Sequence, residues 1–455
     1  NIVENKHLNP ELVKNVDPDL QPTKKRIMDP VSYAASFMGG CVSIGTFSMG
    51  AGLIGALTVT QAILAMVIGC LVIAIALVII GQCGHKYGIP FTVQLRSSFG
   101  TAGIKVPGLL RGIPAIIWFG FQSWVGAGAI NSCLDILFGF DNLPVIYVLF
   151  TILQVALAIK GFEGIKWMEN ISCIFIIAIL IYMLYVVRTQ FSTEIDDVFA
   201  GIKGTWGMPF IAAVIAFFGN STTVMLNAGD YSRELKSGFS VGKRGVAYFI
   251  AMVPTTVLLG LIGAMASTAT GIANPINAFS QMVHNKVLLI ATLGFILFAQ
   301  MTTNLASNVV PPAYAFMDAF KMKHRTAVIL VGILAVCTCP WILTNDSSAA
   351  GLDMFVKIYT AFFGPIFAVL ITDYYILHRG KVEGEKLDDL YDDKGNHAGI
   401  NWAAIIATVI GAVIGLINVD ISFFTATIPT GLVYYFCMKK MPSCERFRKG
   451  TSLEK

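Results

Sequence analysis

Two glycine-interrupted segments decide the fold of this chain: Ser36-Phe37-Met38-Gly39-Gly40-Cys41-Val42-Ser43 and Ala216-Phe217-Phe218-Gly219-Asn220-Ser221-Thr222-Thr223. Each lies inside an apolar stretch that is long enough to cross a bilayer. Backbone that leaves the helix at membrane depth is tolerated only where it lines a protein-walled or water-filled cavity. A pair of such breaks at corresponding places in two halves of a chain indicates the binding site of a secondary transporter.

The composition around these segments is that of a membrane protein. Of the 455 residues, 55% are hydrophobic and 13% are charged, and the mean hydropathy is +0.71. A helix needs about 20 apolar residues to cross the hydrocarbon core. The pattern predicts twelve transmembrane helices, centred on residues 31–56, 59–83, 107–136, 143–160, 167–188, 207–229, 246–271, 287–316, 327–344, 352–377, 401–418 and 421–438.

The placement of basic residues predicts the orientation of these helices. Of the 32 Lys and Arg residues, only Arg188, Lys203 and Lys286 fall in the predicted outer loops. Cytoplasmic loops carry an excess of Lys and Arg. We therefore expect both termini in the cytoplasm and the chain in the inner (cytoplasmic) membrane. The net charge of +5 is then an orientation signal and not a sign of nucleic-acid binding.

The first ten helices divide into two groups of five, and the breaks fall in helices 1 and 6. An odd number of helices per group places the second group upside down relative to the first, which is an inverted-topology repeat. The predicted organisation is a cytoplasmic N-terminal segment 1–29, a first repeat 30–190, an inverted repeat 191–378, a cytoplasmic loop 379–400, two peripheral helices 401–438 and a cytoplasmic tail 439–455.

Polar side chains in the eighth predicted helix indicate a cation site. Ala299, Thr302 and Thr303 are spaced i, i+3, i+4 and share one helix face. Two hydroxyls opposite the carbonyls of the Gly39-Gly40 break form an all-oxygen cage, which suits a hard monovalent cation. The alternative is that the threonines bond to carbonyls of their own helix.

The third and eighth helices also carry residues suited to a planar heterocycle. Trp118 and Gln122 lie one turn apart, so an indole can stack on a ring while the carboxamide bonds to its edge. The alternative for Trp118 is the aromatic belt at the membrane interface. Asn304 and Asn308 share a face, and Asn308 is predicted to bond a substrate amide. The alternative for both is hydrogen bonding between helices.

Charge placement bears on the substrate and on the coupling ion. No charged side chain falls in the middle of helices 1, 3, 6 or 8, which favours a neutral substrate. Proton-driven carriers need a titratable group near the site. We find none there, so sodium is favoured. Asp353 and Lys357 are spaced i, i+4 in the tenth helix and are predicted to pair.

A series of short motifs follows in order along the chain: Asp29-Pro30-Val31-Ser32, Lys86-Tyr87-Gly88-Ile89-Pro90-Phe91, Trp118-Phe119-Gly120-Phe121-Gln122, Thr303-Asn304 with Asn308, Val310-Pro311-Pro312-Ala313-Tyr314, Pro340-Trp341, Gly364-Pro365 and Asp373-Tyr374-Tyr375. Their order and spacing resemble the nucleobase:cation symporter-1 family over nearly the whole chain. Members of that family carry nucleobases and ureides such as hydantoins and allantoin.

The resemblance implies an all-α membrane fold of the leucine-transporter type, with a five-plus-five inverted repeat, broken helices 1 and 6 and two accessory helices. It implies a symporter that imports a neutral planar heterocycle by alternating access. The sodium ligands that it implies are the backbone carbonyls of Gly39, Val42 and Ala299 and the hydroxyls of Thr302 and Thr303. The substrate contacts that it implies are Trp118, Gln122 and Asn308, with Ser43 lining the pocket.

The second break departs from the pattern of the hydantoin carriers. In those carriers a second tryptophan follows the break and closes the other face of the ring, whereas the matching position here is Ser221. Either Phe217 or Phe218 closes that face instead, or Asn220, between Gly219 and Ser221, adds polar recognition. The substrate therefore stays open among nucleobases, hydantoin, allantoin and other small heterocycles.

Other function classes remain as alternatives. They are a proton-coupled nucleobase or vitamin-precursor carrier, an amino-acid transporter of the same fold, a channel and a membrane-embedded enzyme. The six histidines lie at or near loops and tails, which argues against the enzyme. We expect the protein to work as a monomer, with the lipid bilayer and a small heterocycle as its partners.

Overall fold

The computed structural model describes residues 2–4, 7–53, 56–272, 275–343, 349–382 and 387–455. Within these ranges, only the backbone is described at residues 39, 44–45, 48, 51, 162–173, 175–176, 275–277, 279, 295–296, 299, 343 and 349–353. The described chain is helical, and one isolated bridge pairs Met28 with Leu235.

The described residues of the first half of the chain form the helices α1 (Pro10–Val13), α2 (Pro30–Gly40), α3 (Ile44–Ala51), α4 (Val59–Tyr87), α5 (Phe91–Phe99), α6 (Lys105–Phe138), α7 (Leu143–Ile159), α8 (Phe162–Gln190) and α9 (Ser192–Ala200). The second half holds α10 (Met208–Asn220), α11 (Thr222–Leu226), α12 (Ala228–Ser232), α13 (Val241–Thr270), α14 (Pro275–Met282), α15 (Lys286–Asn304), α16 (Val310–Phe320), α17 (His324–Cys337), α18 (Pro340–Leu343), α19 (Ala349–Ile371), α20 (Asp388–Tyr391), α21 (Trp402–Ile417) and α22 (Ser422–Lys440). The described residues also form π-helical turns at Leu305–Val309 and Thr372–Leu377 and 3-10 turns at Val419–Ile421, Pro442–Cys444 and Arg446–Arg448.

The interruption predicted in the first helix is present between α2 and α3. The N–H of Cys41 donates to the Met38 carbonyl at 3.3 Å, and the N–H of Ser43 donates to the Cys41 carbonyl at 3.1 Å. Neither bond reaches back the four residues of an α-helix. The chain therefore leaves the helix directly after the Gly39-Gly40 pair.

The sixth predicted helix is divided into α10, α11 and α12. Ser221 lies between the first two, and its N–H donates to the Phe218 carbonyl at 3.1 Å. At the end of α11 the N–H of Asn227 is directed to the Met225 carbonyl. The carbonyl of Thr223, four residues before Asn227, thereby loses its α-helical donor.

The eighth predicted helix, expected to be continuous, is interrupted as well. It consists of α15, the π turn Leu305–Val309 and α16. Pro311 and Pro312 carry no N–H, and the N–H of Val310 donates to the Leu305 carbonyl. The carbonyls of Ala306, Ser307 and Asn308 therefore lack the donor four residues ahead of them. The two prolines were the sequence signal for this interruption.

Five of the described helices are long and apolar enough to cross a membrane: α4, α6, α13, Met354–Leu377 and Val419–Lys440. Among the searched residues there are five further apolar segments of 10–17 residues: Leu143–Ile159, Ile177–Gln190 (a part of α8), Met208–Asn220, His324–Cys337 and Trp402–Ile417. The predicted helices 1, 6 and 8 are each divided into shorter helices. A criterion based on helix length therefore does not identify them as membrane-spanning. The total of twelve spans stays a prediction.

The broken helices lie inside the bundle. Helix α2 packs against α8, α13 and α15, and α10 packs against α4. Helix α6 packs against α15 and α16. The two breaks, α6 and the eighth helix thus surround a common space.

Both ends of the chain lie on one face of the protein, which we call the terminal face. The Val3 N–H donates to the Lys86 carbonyl at 2.9 Å, and the Ser452 N–H donates to the Leu377 carbonyl at 2.8 Å. On the same face, the Arg26 guanidinium donates to the carbonyls of His85 and Leu235 at 2.7 and 3.1 Å. Burial lowers the pKa of Arg26 to about 10, so the side chain stays cationic at neutral pH.

Candidate binding site

A cavity with an empty volume of about 720 Å³ lies between the two breaks. Its walls come from both broken segments and from α4, α6, α13 and the eighth helix. Eight of the residues predicted from the sequence line it: Ser43, Trp118, Gln122, Phe217, Asn220, Ser221, Thr303 and Asn308.

Trp118 and Gln122 form one wall of this cavity. Both are buried on α6, one turn apart. The Trp118 Nε1 donates to the Tyr359 hydroxyl at 3.4 Å, and its ring packs at 6.2 Å from that of Phe355. The buried Oε1 of Gln122 has no hydrogen-bond partner among the described atoms. This wall therefore presents a flat ring beside a lone acceptor.

Asn304 and Asn308 are placed differently although they share a helix face. Asn308 lines the cavity, and its Nδ2 donates to the Oδ1 of Asn304 at 2.8 Å. Asn304 lies behind it, and its Nδ2 bonds to Ser123 Oγ at 3.2 Å and to Gln154 Oε1 at 3.0 Å. The structure therefore places Asn304 as the support that orients Asn308, outside the lining itself.

A hydrogen-bonded chain joins the two breaks across the cavity. The Nδ2 of Asn220 donates to the Thr46 hydroxyl at 3.3 Å, and the hydroxyls of Thr46 and Ser43 lie 3.2 Å apart. Sequence reasoning missed Thr46. Its position three residues after Ser43, at the start of α3, was the available signal.

Of the two phenylalanines before the second break, Phe217 lines the cavity and Phe218 does not. Phe218 packs against Phe423 and Phe424, with ring centroids 4.8 and 5.1 Å apart. Gly219 also faces away from the lining, and Thr360 is the nearest neighbour of its open side. Around the second break the cavity is thus lined by Phe217 and by the small polar residues Asn220 and Ser221.

Two of the predicted cation ligands, Thr302 and Thr303, lie on α15, which packs against α2. Thr302 and Thr303 are buried, Thr303 lines the cavity, and Val42 is buried between α2 and α3. The surroundings of Gly39 and Ala299 lie outside the described side-chain positions. The five-oxygen sodium site stays a prediction.

The tenth helix carries a lysine that pairs outside that helix. Lys357 Nζ lies 2.8 Å from the Oδ1 of Asp420. The side chain of Asp353 lies outside the described residues, so the predicted pair with Lys357 stays untested.

Sequence reasoning also missed Arg111, which is buried on α6 two turns before Trp118. Its Nε donates to the Thr223 carbonyl at 2.9 Å and its Nη2 donates to the Ser307 carbonyl at 3.0 Å. The residue lies within the predicted third helix, but near its start, where charge is common. Thr223 and Ser307 both line the cavity, so a cation is held next to it.

Comparison with known proteins identifies relatives along nearly the whole chain. The family model for permeases of cytosine, purines, uracil, thiamine and allantoin matches residues 21–439. A hydantoin permease of Microbacterium maritypicum is 28% identical over 442 residues, which cover 93% of this chain and 89% of the relative. An allantoin permease of Bacillus subtilis is 27% identical over 470 residues, which cover 93% of each chain. These relatives are permeases and not enzymes.

Solved structures show the same fold. Mhp1, a nucleobase-cation-symport-1 family transporter, has a TM-score of 0.85 in a closed conformation with bromovinylhydantoin bound, at 27% identity over 97% of this chain and 98% of that one. The inward-facing conformation of Mhp1 gives 0.81, at 27% identity over 97% of this chain and 96% of that one. A sodium-coupled sialic acid symporter, only 12% identical over 89% of each chain, gives 0.64 and shares the fold. The all-helical, leucine-transporter-like membrane fold predicted from the sequence is confirmed.

Proposed function

Because this chain belongs to the permease family for cytosine, purines, uracil, thiamine and allantoin, we propose that it imports a small, neutral, planar heterocycle together with a sodium ion. The protein is a multi-pass membrane transporter. The class of heterocycle and the choice of sodium as the coupling ion are proposed.

The observation that carries the substrate proposal is the lone acceptor beside the flat ring. The Oε1 of Gln122 is buried in the cavity without a donor among the described atoms, and Trp118 lies one turn away on the same face. A buried acceptor without a donor costs free energy, which a substrate N–H removes on binding. Cyclic amides and ureides offer such an N–H at the edge of a flat ring.

The polar chain Ser43–Thr46–Asn220 supports a substrate with further hydrogen-bonding groups. The resemblance to the hydantoin carriers implies a second aromatic side chain at the position of Ser221, whereas here hydroxyl and amide groups line the cavity. A ureide such as allantoin, or a nucleobase with exocyclic oxygen and nitrogen atoms, suits this lining better than an aryl-substituted hydantoin.

The ionisable side chains in the lining support sodium over protons. Among the described lining residues there is no carboxylate, histidine, lysine or arginine, and the ionisable groups are the thiols of Cys41 and Cys70. A proton-coupled carrier needs a group that titrates near neutral pH. The same neutral lining disfavours an amino-acid transporter, which has to bind a carboxylate and an ammonium group.

Transport then follows alternating access, in which helices 1, 2, 6 and 7 move against helices 3, 4, 8 and 9. Sodium at the junction of α2 and α15 would order the first break and raise the affinity for substrate, and linkage makes the effect reciprocal. The tenth helix closes the opposite side, where the Tyr359 hydroxyl accepts a bond from Trp118. The termini lie in the cytoplasm, the protein lies in the inner membrane, and the monomer is the working unit.

The test is a thermal-shift screen of the purified protein with nucleobases, hydantoins, allantoin and vitamin precursors, in sodium and in choline buffers. We expect one heterocycle class to raise the melting temperature, and to raise it further in sodium. A substrate that stabilises equally in both buffers and is driven by a pH gradient in proteoliposomes would favour proton coupling. Stabilisation by amino acids alone would contradict the proposal.

A further inference from the structure

Thr223, Ala306 and Ser307 are among the residues next to the cavity whose backbone carbonyls have lost their helical donors. The Thr223 carbonyl loses its donor at the end of α11, and those of Ala306 and Ser307 lose theirs at the π turn before Pro311. Buried carbonyls in native proteins are nearly always paired. Each of these three is therefore expected to have a donor from elsewhere.

Two buried side chains supply these donors. Arg111 donates to the Thr223 carbonyl at 2.9 Å and to the Ser307 carbonyl at 3.0 Å. The Tyr231 hydroxyl donates to the Ala306 carbonyl at 2.8 Å. Only 1% of Arg111 and 4% of Tyr231 is exposed, so solvent does not compete for these bonds.

Two of the three bonds join the groups of helices that move apart in alternating access. Arg111 belongs to helix 3, and its bond to Thr223 crosses to helix 6. Tyr231 belongs to helix 6, and its bond to Ala306 crosses to helix 8. The bond from Arg111 to Ser307 stays between helices 3 and 8, which anchors the guanidinium on one side.

These bonds lie between the cavity and the terminal face. A second void of about 460 Å³ shares Cys41 and Ser307 with the cavity and extends to Phe37, Leu77 and Tyr231. Helix α6 begins on the terminal face, where the Thr101 N–H donates to the His397 carbonyl at 2.8 Å. Arg111 is therefore nearer to that face than Trp118, by about 10 Å at 1.5 Å per residue.

The chemistry of these bonds fits a contact that opens and closes. Arg111 bonds to neutral carbonyls only, and its Nη1 has no hydrogen-bond partner among the described atoms. Arg96, in contrast, makes a bidentate pair with Asp318 at 2.7 and 3.2 Å, which joins α5 to α16. Charge-assisted pairs of that kind are the strong ones, whereas a guanidinium on carbonyls regains hydration when the helices separate.

We propose that Arg111 and Tyr231 form an inner latch, whose bonds to the Thr223 and Ala306 carbonyls keep the cavity closed toward the terminal face and must break before the substrate leaves on that side. The latch rests on the alternating-access step of the proposed function. It does not depend on which heterocycle or which ion is carried.

The test measures access to the cavity from each side of the membrane. Cys41 lines both voids, so it serves as the reporter in a protein whose other cysteines are replaced by alanine. A charged, membrane-impermeant methanethiosulfonate is applied to either side of oriented vesicles. From the terminal face we expect labelling about threefold faster in Tyr231→Phe and about tenfold faster in Arg111→Gln, as the loss of neutral and charged hydrogen bonds supports. From the opposite side labelling should slow.

Arg244→Gln is the matched control. Arg244 is a fully buried arginine on α13 that bonds to the Gly81 carbonyl at 3.5 Å and to the Gln82 side chain, both on α4. Helices 7 and 2 move together, so this variant should lose thermal stability without a change in the ratio of labelling from the two sides.

An unchanged ratio in Tyr231→Phe and Arg111→Gln would overturn the latch, and so would an equal change in Arg244→Gln. Tyr231→Phe deletes a single oxygen atom, so it decides the question if Arg111→Gln fails to fold. The labelling needs no substrate. A failed ligand screen with a shifted labelling ratio would therefore contradict the substrate proposal and leave the latch standing.

Discussion

Gln122→Leu separates a substrate-binding role of Gln122 from a structural one. The Gln122 Oε1 is buried and has no partner in the part of the chain that the structure describes, and an unmade hydrogen bond at such an atom costs about 1–3 kcal/mol. The protein carries that cost without substrate and is relieved of it when a substrate N–H donates to the atom. Leucine removes the atom in both states. Binding should weaken by about 1–3 kcal/mol, roughly 5- to 150-fold in Kd, while the substrate-free protein becomes no less stable.

The assay is titration calorimetry with the heterocycle that the screen identifies, together with thermal unfolding of the substrate-free protein. Gln300→Leu is the matched control, because Gln300 is equally buried but its Nε2 donates to the Gln122 carbonyl at 2.8 Å. Removing this satisfied bond should lower the free energy of unfolding by about 0.5–1.5 kcal/mol and change Kd little. The two variants are expected to show opposite patterns.

Two results would refute the reasoning on Gln122. One is a Kd for Gln122→Leu within twofold of the parent. The other is a fall in thermal stability like that of Gln300→Leu, which would mean that Gln122 already has a structural partner. Either result would leave Trp118 as the sole substrate contact on α6.

Three further predictions concern the rest of the site. Trp118→Ala should weaken substrate binding by about 1–3 kcal/mol because the stacking contact is lost. Calorimetry on protein that stays monodisperse measures this change, and an unchanged affinity would show that Trp118 does not stack on the substrate. Replacing Thr302 and Thr303 together by alanine should abolish the stimulation of uptake by sodium in proteoliposomes. If sodium still stimulates uptake in this variant, the ion binds elsewhere. Asn308→Ala should cost roughly 1–3 kcal/mol of binding, and some stability because the buried Asn304 Oδ1 loses its donor. Asn304→Ala also loses the bonds to Ser123 and Gln154, so it should lower stability more than Asn308→Ala does; an equal loss of stability in the two variants would contradict the division into a contact and its support.

Much of the site follows from local rules of the chain. Glycine pairs and prolines mark where helical N–H groups or regular turns are lost, so the breaks after Gly40 and at Ser221 were predictable. Helical periodicity places residues four apart on one face, which is why Trp118 and Gln122 were expected together. Pro311 and Pro312 mark lost N–H groups in the same way, although the eighth helix was expected to be continuous and the π turn itself was not predicted.

The sequence by itself thus determined the membrane fold, the two broken helices and the wall that carries Trp118 and Gln122, because periodicity, hydropathy and missing N–H groups act within a few residues of the chain. Only the tertiary structure decided that Asn304 supports Asn308, that Asn220 reaches Thr46, and that Arg111 and Tyr231 donate to the carbonyls freed at the irregular turns. Most of these contacts join residues far apart along the chain. The packing of whole helices brings such groups together, and a local sequence pattern does not predict which donor will bond to which acceptor.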